Sequence, residues 1–172
     1  MRVLRCRSAL CLFLAALALL IINPTWAKDP VAAYHAIRRA SLKGIESVEV
    51  VVAAKSEAGC RQPSTEELET TIEAQLHEAG IPISPDAASY LFVSLNSLAP
   101  ITDALCVLAV SVDLQQAVAL VRDLRLTTLG TTWQEGGVGV TTTENHGEFL
   151  QMMLAAVVRE FIHAYLGQNP KP

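Results

Sequence analysis

Three arginines, Arg2, Arg5 and Arg7, open the chain, and the fourteen residues that follow from 9 to 22 are all apolar. Asn23-Pro24 breaks the run, and Thr25 and Ala27 place small residues at the −3 and −1 positions of a cut between Ala27 and Lys28. A basic start, an apolar stretch and a small-residue cut together make a secretory signal peptide. This feature constrains the fold most. It withholds residues 1–27, leaves 28–172 to fold as a single domain, and places the product in the periplasm or outside the cell. A run of fourteen is short of the ~20 residues a spanning helix needs, so a membrane is a partner only if the signal is retained as an anchor. Cys11 stands at the head of the apolar run, whereas a lipidated cysteine would follow it.

Loss of the leader removes three arginines and takes the formal charge from −4 to −7. An acidic surface keeps a small domain soluble and does not suit a phosphate backbone, so no nucleic-acid partner is expected. The 145 residues that remain are enough for one core without staples. Two cysteines remain, Cys60 and Cys106, and an oxidising compartment favours pairing them. A bridge would close a ring of 47 residues, an entropic constraint of roughly 4 kcal/mol. The alternative is a buried apolar thiol at Cys106 and a loop thiol at Cys60; spacing does not decide between them.

Hydrophobic periodicity gives the order of elements. Asp29-Pro30 reads as a cap and first helical position, opening a short helix to residue 40 whose Val31, Tyr34 and Ile37 would face the core. Residues 47–54 alternate as a strand with Val48, Val50 and Val52 on one face. Ser64 and Glu67 form a capping-box pattern ahead of Leu68, Ile72 and Leu76, and Gly80 and Pro82 stop that helix. Residues 89–98 form a second strand, with Leu91, Val93 and Leu95 sharing a face. Residues 104–121 are apolar and β-branched at first. Leu114, Val118 and Val121 also fit a helix; the reading adopted is one long bent strand, with Arg122-Asp123 as the turn. Residues 126–140 make a fourth strand, in which Gly136, Gly137 and Gly139 permit a bulge. A last helix starts at Asn145 with Glu148 three residues on, carries a wide apolar face, and closes at Gly167 and Pro170.

The resulting fold class is α+β: a β-α-β-β-β-α two-layer sandwich, with a mostly antiparallel four-stranded sheet and two main helices on one face. The link from the first strand through its helix to the second would be a right-handed crossover. The other sheet face stays open to solvent or a partner.

Chemistry-bearing patterns are sparse. Glu160 and His163 have the spacing of a carboxylate-bridged metal site, but such sites need two of these motifs and two further glutamates. His146 and Glu148 are two apart and do not share a helix face. No serine stands in a nucleophile elbow, and no lysine follows the glycine cluster as a phosphate cradle requires. Asp113 is read onto the solvent face of the sheet. No catalytic residue, cofactor or metal is therefore assigned. Trp133 with Arg122 and Arg125 has the composition of an interface anchor, the competing reading being that Trp133 fills core volume.

Three stretches carry a family resemblance: residues 42–50, Ala79-Gly80-Ile81-Pro82, and Thr131-Thr132-Trp133 with the final helix running to Asn169-Pro170. On these the chain resembles a family of small, uncharacterised exported bacterial proteins. Its element order is also similar to periplasmic α/β modules such as the N-terminal domain of the Tol translocation protein and the outer-membrane activators of penicillin-binding proteins. That similarity implies binding to another periplasmic or envelope protein, by analogy of fold alone. The expectation is an exported, non-enzymatic binding or accessory module. The alternative is a periplasmic enzyme or small-ligand carrier, which would need an enclosed cavity near Asp113, Arg122 or Trp133.

Overall fold

The computed structural model describes residues 29–99 and 104–170; the expected leader with its cut between Ala27 and Lys28, and the turn expected at Thr102-Asp103, lie outside the described residues. The chain divides into two compact units, Met1–His35 and Ala36–Pro172. The described part of the first is the opening of helix α1, Pro30–Ala40, where the Asp29 carboxylate accepts from the Val31 N–H at 2.9 Å. Val31, Tyr34 and Ile37, expected to face inward, are all more than half exposed. The core begins instead at Leu42, which is fully buried, and is closed without that stripe.

The second unit holds a four-stranded sheet in the order β1 (Glu49–Ser56), β2 (Ser89–Leu98), β3 (Leu105–Leu120), β4 (Asp123–Thr142), with helices α2 (Thr65–Glu78) and α3 (His146–Gln168). β1 and β2 are parallel, and β2, β3 and β4 form an antiparallel meander, so the α+β sandwich is the fold. The stretch that fitted either helix or strand is strand as far as Leu120: Gln115 to Ala119 pair with Thr131 to Thr127, and the turn falls at Val121-Arg122, one residue before the expected Arg122-Asp123. Alternation sorts the side chains. Val50, Val52, Leu91, Val93, Leu95, Leu108, Val110, Val112 and Leu114 are buried against the helices, while Phe92, Ser94, Ala109, Ser111 and Asp113 face the other way.

α2 is closed at both ends as its sequence requires. The Ser64 hydroxyl accepts from the Glu67 N–H at 3.2 Å, and the Glu67 carboxylate accepts from the Ser64 N–H at 2.8 Å. At the other end Gly80, at φ +73°, lets the Ile81 N–H reach the Leu76 carbonyl at 2.9 Å. α3 departs from expectation at both ends. Asn145 makes no side-chain cap, and Gly167 lies inside the helix. The end is set by Asn169, whose side-chain amide donates to the Leu42 carbonyl (2.9 Å) and whose oxygen accepts from the Gly44 N–H (2.8 Å). Tyr165 adds a buried bond to the Ile45 carbonyl at 2.8 Å. α3 is apolar enough to cross a membrane by length and composition. Its Leu150, Leu154, Val158 and Phe161, however, are buried in the core.

The glycine run in β4 makes no bulge. Gly136, Gly137 and Gly139 pair in register with Ser111, Val110 and Leu108. They thin the sheet: a Cβ on Gly139 would stand 2.5 Å from the Phe149 ring, and one on Gly136 would stand 2.6 Å from the Val110 carbonyl. The register shift lies earlier, between Leu114 and Gln115, where Thr132 is the extra residue. Cys60 and Cys106 are disulfide-bonded and buried, tying the loop after β1 to the start of β3.

Replacing Gly139 by valine should lower stability by about 1–3 kcal/mol through overpacking, read as a shift in the denaturation midpoint. Gly147→Ala, where a Cβ meets nothing within 4 Å, should leave that midpoint almost unmoved.

Candidate functional site

β2 ends its pairing with β3 at the Ser89–Gln116 pair, whereas β3 and β4 continue together to Leu120 and Asp123. A two-stranded arm therefore runs past the rest of the sheet. A second shift near its end leaves residues 124–126 without partners across the hairpin. The arm is apolar and bare: Val121 is 96% exposed, Leu124 73%, and Leu126 and Leu129 about half. A short two-stranded ribbon has no core of its own. Its geometry is held at the root.

The root is built around the Thr132 bulge. The Gln116 side-chain amide donates to the Thr132 hydroxyl at 2.6 Å and to the Ser41 carbonyl at 3.1 Å. The Ser41 hydroxyl lies 3.0 Å from the Thr132 carbonyl. One residue on, Trp133 is 4% exposed and meets Phe161 edge to face at 5.3 Å. The Arg38 guanidinium sits over its ring at 5.7 Å, a cation–π contact, and reaches Glu135 at 3.9 Å.

The three candidate interface residues thus occupy different places. Trp133 fills core volume at the root, and the arginine over it is Arg38, not Arg122 or Arg125. Those two flank the exposed tip. There the Asp123 carboxylate accepts from Arg125 Nε at 3.1 Å, a bond that holds the carboxyl below its ordinary range. Asp113 lies half-buried on the open face. Ser111 donates to one of its oxygens, and desolvation raises its pKa.

A buried polar pair went unread in the sequence. His146, wholly buried, has Nε2 at 3.0 Å from the Ser97 hydroxyl, and that hydroxyl donates to Gln62 Oε1 at 3.4 Å. If Ser97 gives its proton to Gln62, His146 carries hydrogen on Nε2, and the unpartnered buried Nδ1 is a bare acceptor rather than a stranded donor. Ser97 continues the inward alternation of Leu91, Val93 and Leu95, so its direction was legible; its partner, 49 residues away, was not. The pair resembles a nucleophile and base, but among the described residues no carboxylate orients the ring, and both side chains are buried.

Beside it, α2 and α3 leave a groove of about 720 Å³ lined by Arg61, Gln62, Thr71, Gln75, Thr143 and Gln151, among others. A shallower hollow of about 380 Å³ lies on the open face, around Ser94, Asn96, Ala109, Ser111, Gly136 and Val138. Neither is lined by Asp113, Arg122 or Trp133. Among the described residues, no three histidine, cysteine, aspartate or glutamate side chains converge on a metal site.

No protein-family profile and no curated protein matches the chain. Solved structures do. The chain is similar to a single-substitution variant of the PelC dodecamer from Paraburkholderia phytofirmans, at 16% identity over 67% of this chain and 86% of that one, TM-score 0.41. It is similar to lipoprotein GNA1162 from Neisseria meningitidis, at 15% identity over 67% and 96%, TM-score 0.39. It is also similar to the rare lipoprotein B from Shewanella oneidensis, at 15% identity over 67% and 94%, TM-score 0.29.

Burial holds the His146 pKa below its ordinary value of 6.5. Below that pH the unfolded chain takes up a proton that the folded protein refuses. The stability this histidine supports is complete above 6.5 and is lost as pH falls toward the folded-state pKa. Stability of the natural protein should therefore decline on acidification, this one group contributing a slope of at most about 1.4 kcal/mol per pH unit. In His146→Leu that part of the slope should vanish, as measured by chemical denaturation across a pH series.

Proposed function

We propose that the protein is an exported, non-enzymatic binding module of the cell envelope and that its contact element is the β3–β4 arm. The leader pattern of Arg2, Arg5, Arg7 and the apolar run supports export, and the Cys60–Cys106 bridge suits an oxidising compartment. The observation that carries the reading is the arm itself. Monomeric proteins seldom leave clustered large apolar side chains in water unless something covers them, and Val121, Leu124, Leu126 and Leu129 lie together on one projection. Arg122 and Arg125 would make the polar contacts at the tip. Trp133 contributes from below by fixing the strand from which the arm departs.

A photo-reactive residue at Val121 or Leu126 should give cross-linked adducts in the living cell, and the same residue at Glu69 on α2 should not. Equal labelling from all three positions, or none from the arm in a folded and exported protein, would contradict the proposal.

A second reading, a carrier of a small polar ligand, is favoured by the groove between α2 and α3. Its Gln62, Gln75 and Gln151 offer neutral donors and acceptors side by side. If this holds, native mass spectrometry of the protein from its host should show a bound mass that is lost in the Gln75→Ala, Gln151→Ala double variant. A bare polypeptide mass in the natural protein would remove it.

A further inference from the structure

The chemistry of the arm allows its partner to be named more closely, on the footing that the arm is the contact element. Residues 117–131 contain Arg122, Arg125 and Asp123 and no other charge, a net of +1 on a chain that carries −7 without its leader. Asp123 is engaged by Arg125. Arg122 is exposed at the turn. The acidic residues gather elsewhere, most densely as Glu66, Glu67, Glu69 and Glu73 on α2. The arm is thus a local cationic point on an acidic molecule, which complements an anionic surface.

The apolar side chains are not arranged for a groove. Ala117 and Leu129 face each other across the ribbon and share one of its sides, while Val118 and Leu120 belong to the other. Val121 occupies the turn, and Leu124 and Leu126 fall in the unpaired stretch. A partner protein with one docking face would cover one side of such a ribbon. A fluid medium covers both sides and the tip at once. Depth agrees. The stretch from Ala117 to Leu120 spans roughly 10–13 Å as a strand. An interfacial element is buried ~5–10 Å at the headgroup–acyl boundary, so the outer part of the stretch is immersed, and the whole is well short of the ~9–11 residues a spanning strand needs. Behind it, Gln115, Gln116, Thr131 and Thr132 make a polar collar, while Thr128 and Thr127 stand across from Val118 and Ala119 within the stretch itself.

We infer that the tip of the β3–β4 arm inserts into the headgroup region of an anionic phospholipid leaflet, with Val121, Leu124 and Leu126 among the acyl chains and Arg122 and Arg125 on lipid phosphates. Membrane-surface arginines give an affinity that falls as salt rises. The leucines supply the part that persists.

The test uses the exported protein carrying Val121→Trp, with the natural protein, whose Trp133 is buried, as background. Vesicles of phosphatidylcholine mixed with phosphatidylglycerol should shift the new emission to shorter wavelength, and vesicles of phosphatidylcholine alone should do so far less. In the same background, Arg122→Gln and Arg125→Gln should each weaken binding about fivefold at low salt, and Leu124→Asp with Leu126→Asp should abolish the shift. A tryptophan placed at Glu69 should not respond, which separates arm insertion from attachment through a retained leader. An unshifted Val121→Trp spectrum with anionic vesicles, or a shift indifferent to the leucine substitutions, would overturn the inference. If, in addition, arm cross-links in the cell went to a protein, the arm would stand as the contact element and lipid would not be its partner. If neither occurred, both readings would fall.

Discussion

The close seating of α3 on the backbone of β4 governs the rest of the structure. Gly139 puts no side chain between strand and helix, so the Phe149 ring rests where a Cβ would otherwise stand, with the Met153 sulfur beside it. That contact lets one long helix cover the β3–β4 side of the sheet while α2 covers β1. Two helices then suffice for one face, and nothing in the described residues covers the other. The asymmetry follows from composition: the inward positions of β2 and β3 are mostly Leu and Val, with Ser89, Ser97 and Cys106 at their ends, and the outward ones mix Ser, Asp, Gln and Ala with a few apolar residues.

The same helix secures both ends of the unit. Its start contributes His146 to a buried contact with Ser97, close to the Cys60–Cys106 bridge at the beginning of β3. Its end clamps residues 42–45 through Tyr165 and Asn169. The arm lies beyond all of these ties. Among the described residues it is held by hairpin pairing and by the Ser41–Gln116–Thr132 contacts at its root, and so is fixed where it leaves the sheet and exposed where it ends. An acidic chain that concentrates bare leucines and arginines on such a projection is what the proposed docking role rests on.

Much of this was legible in the residues. Strand β2 matched its expected bounds because Leu91, Val93 and Leu95 alternate without interruption. α2 was marked by a capping box and a glycine stop, both of which depend on local chemistry alone. The Leu114–Val121 stretch read both ways, and only its long-range pairing with β4 decided it. The glycines of β4 were misread as a bulge because a sequence shows that a glycine weakens a strand, not that a helix needs the space above it. Val31, Tyr34 and Ile37 have helical spacing but no core to face, and spacing cannot say whether a core is already full. Arg122 and Arg125 were picked out for composition and do flank the tip, whereas Trp133, grouped with them, is claimed by Phe161 and Arg38. The Ser97–His146 contact had no local signal, since its two halves sit on different elements far apart in the chain.

Backbone amide hydrogen exchange in the isolated protein tests most directly whether the hairpin outruns the sheet and stands uncovered. Amides of residues 117–129 should exchange far faster than those of residues 106–114, which belong to the same hairpin through β3 but lie over the core. Uniform, slow exchange along the whole hairpin would mean that the rest of the chain already covers the arm, and would contradict its role as a free contact element.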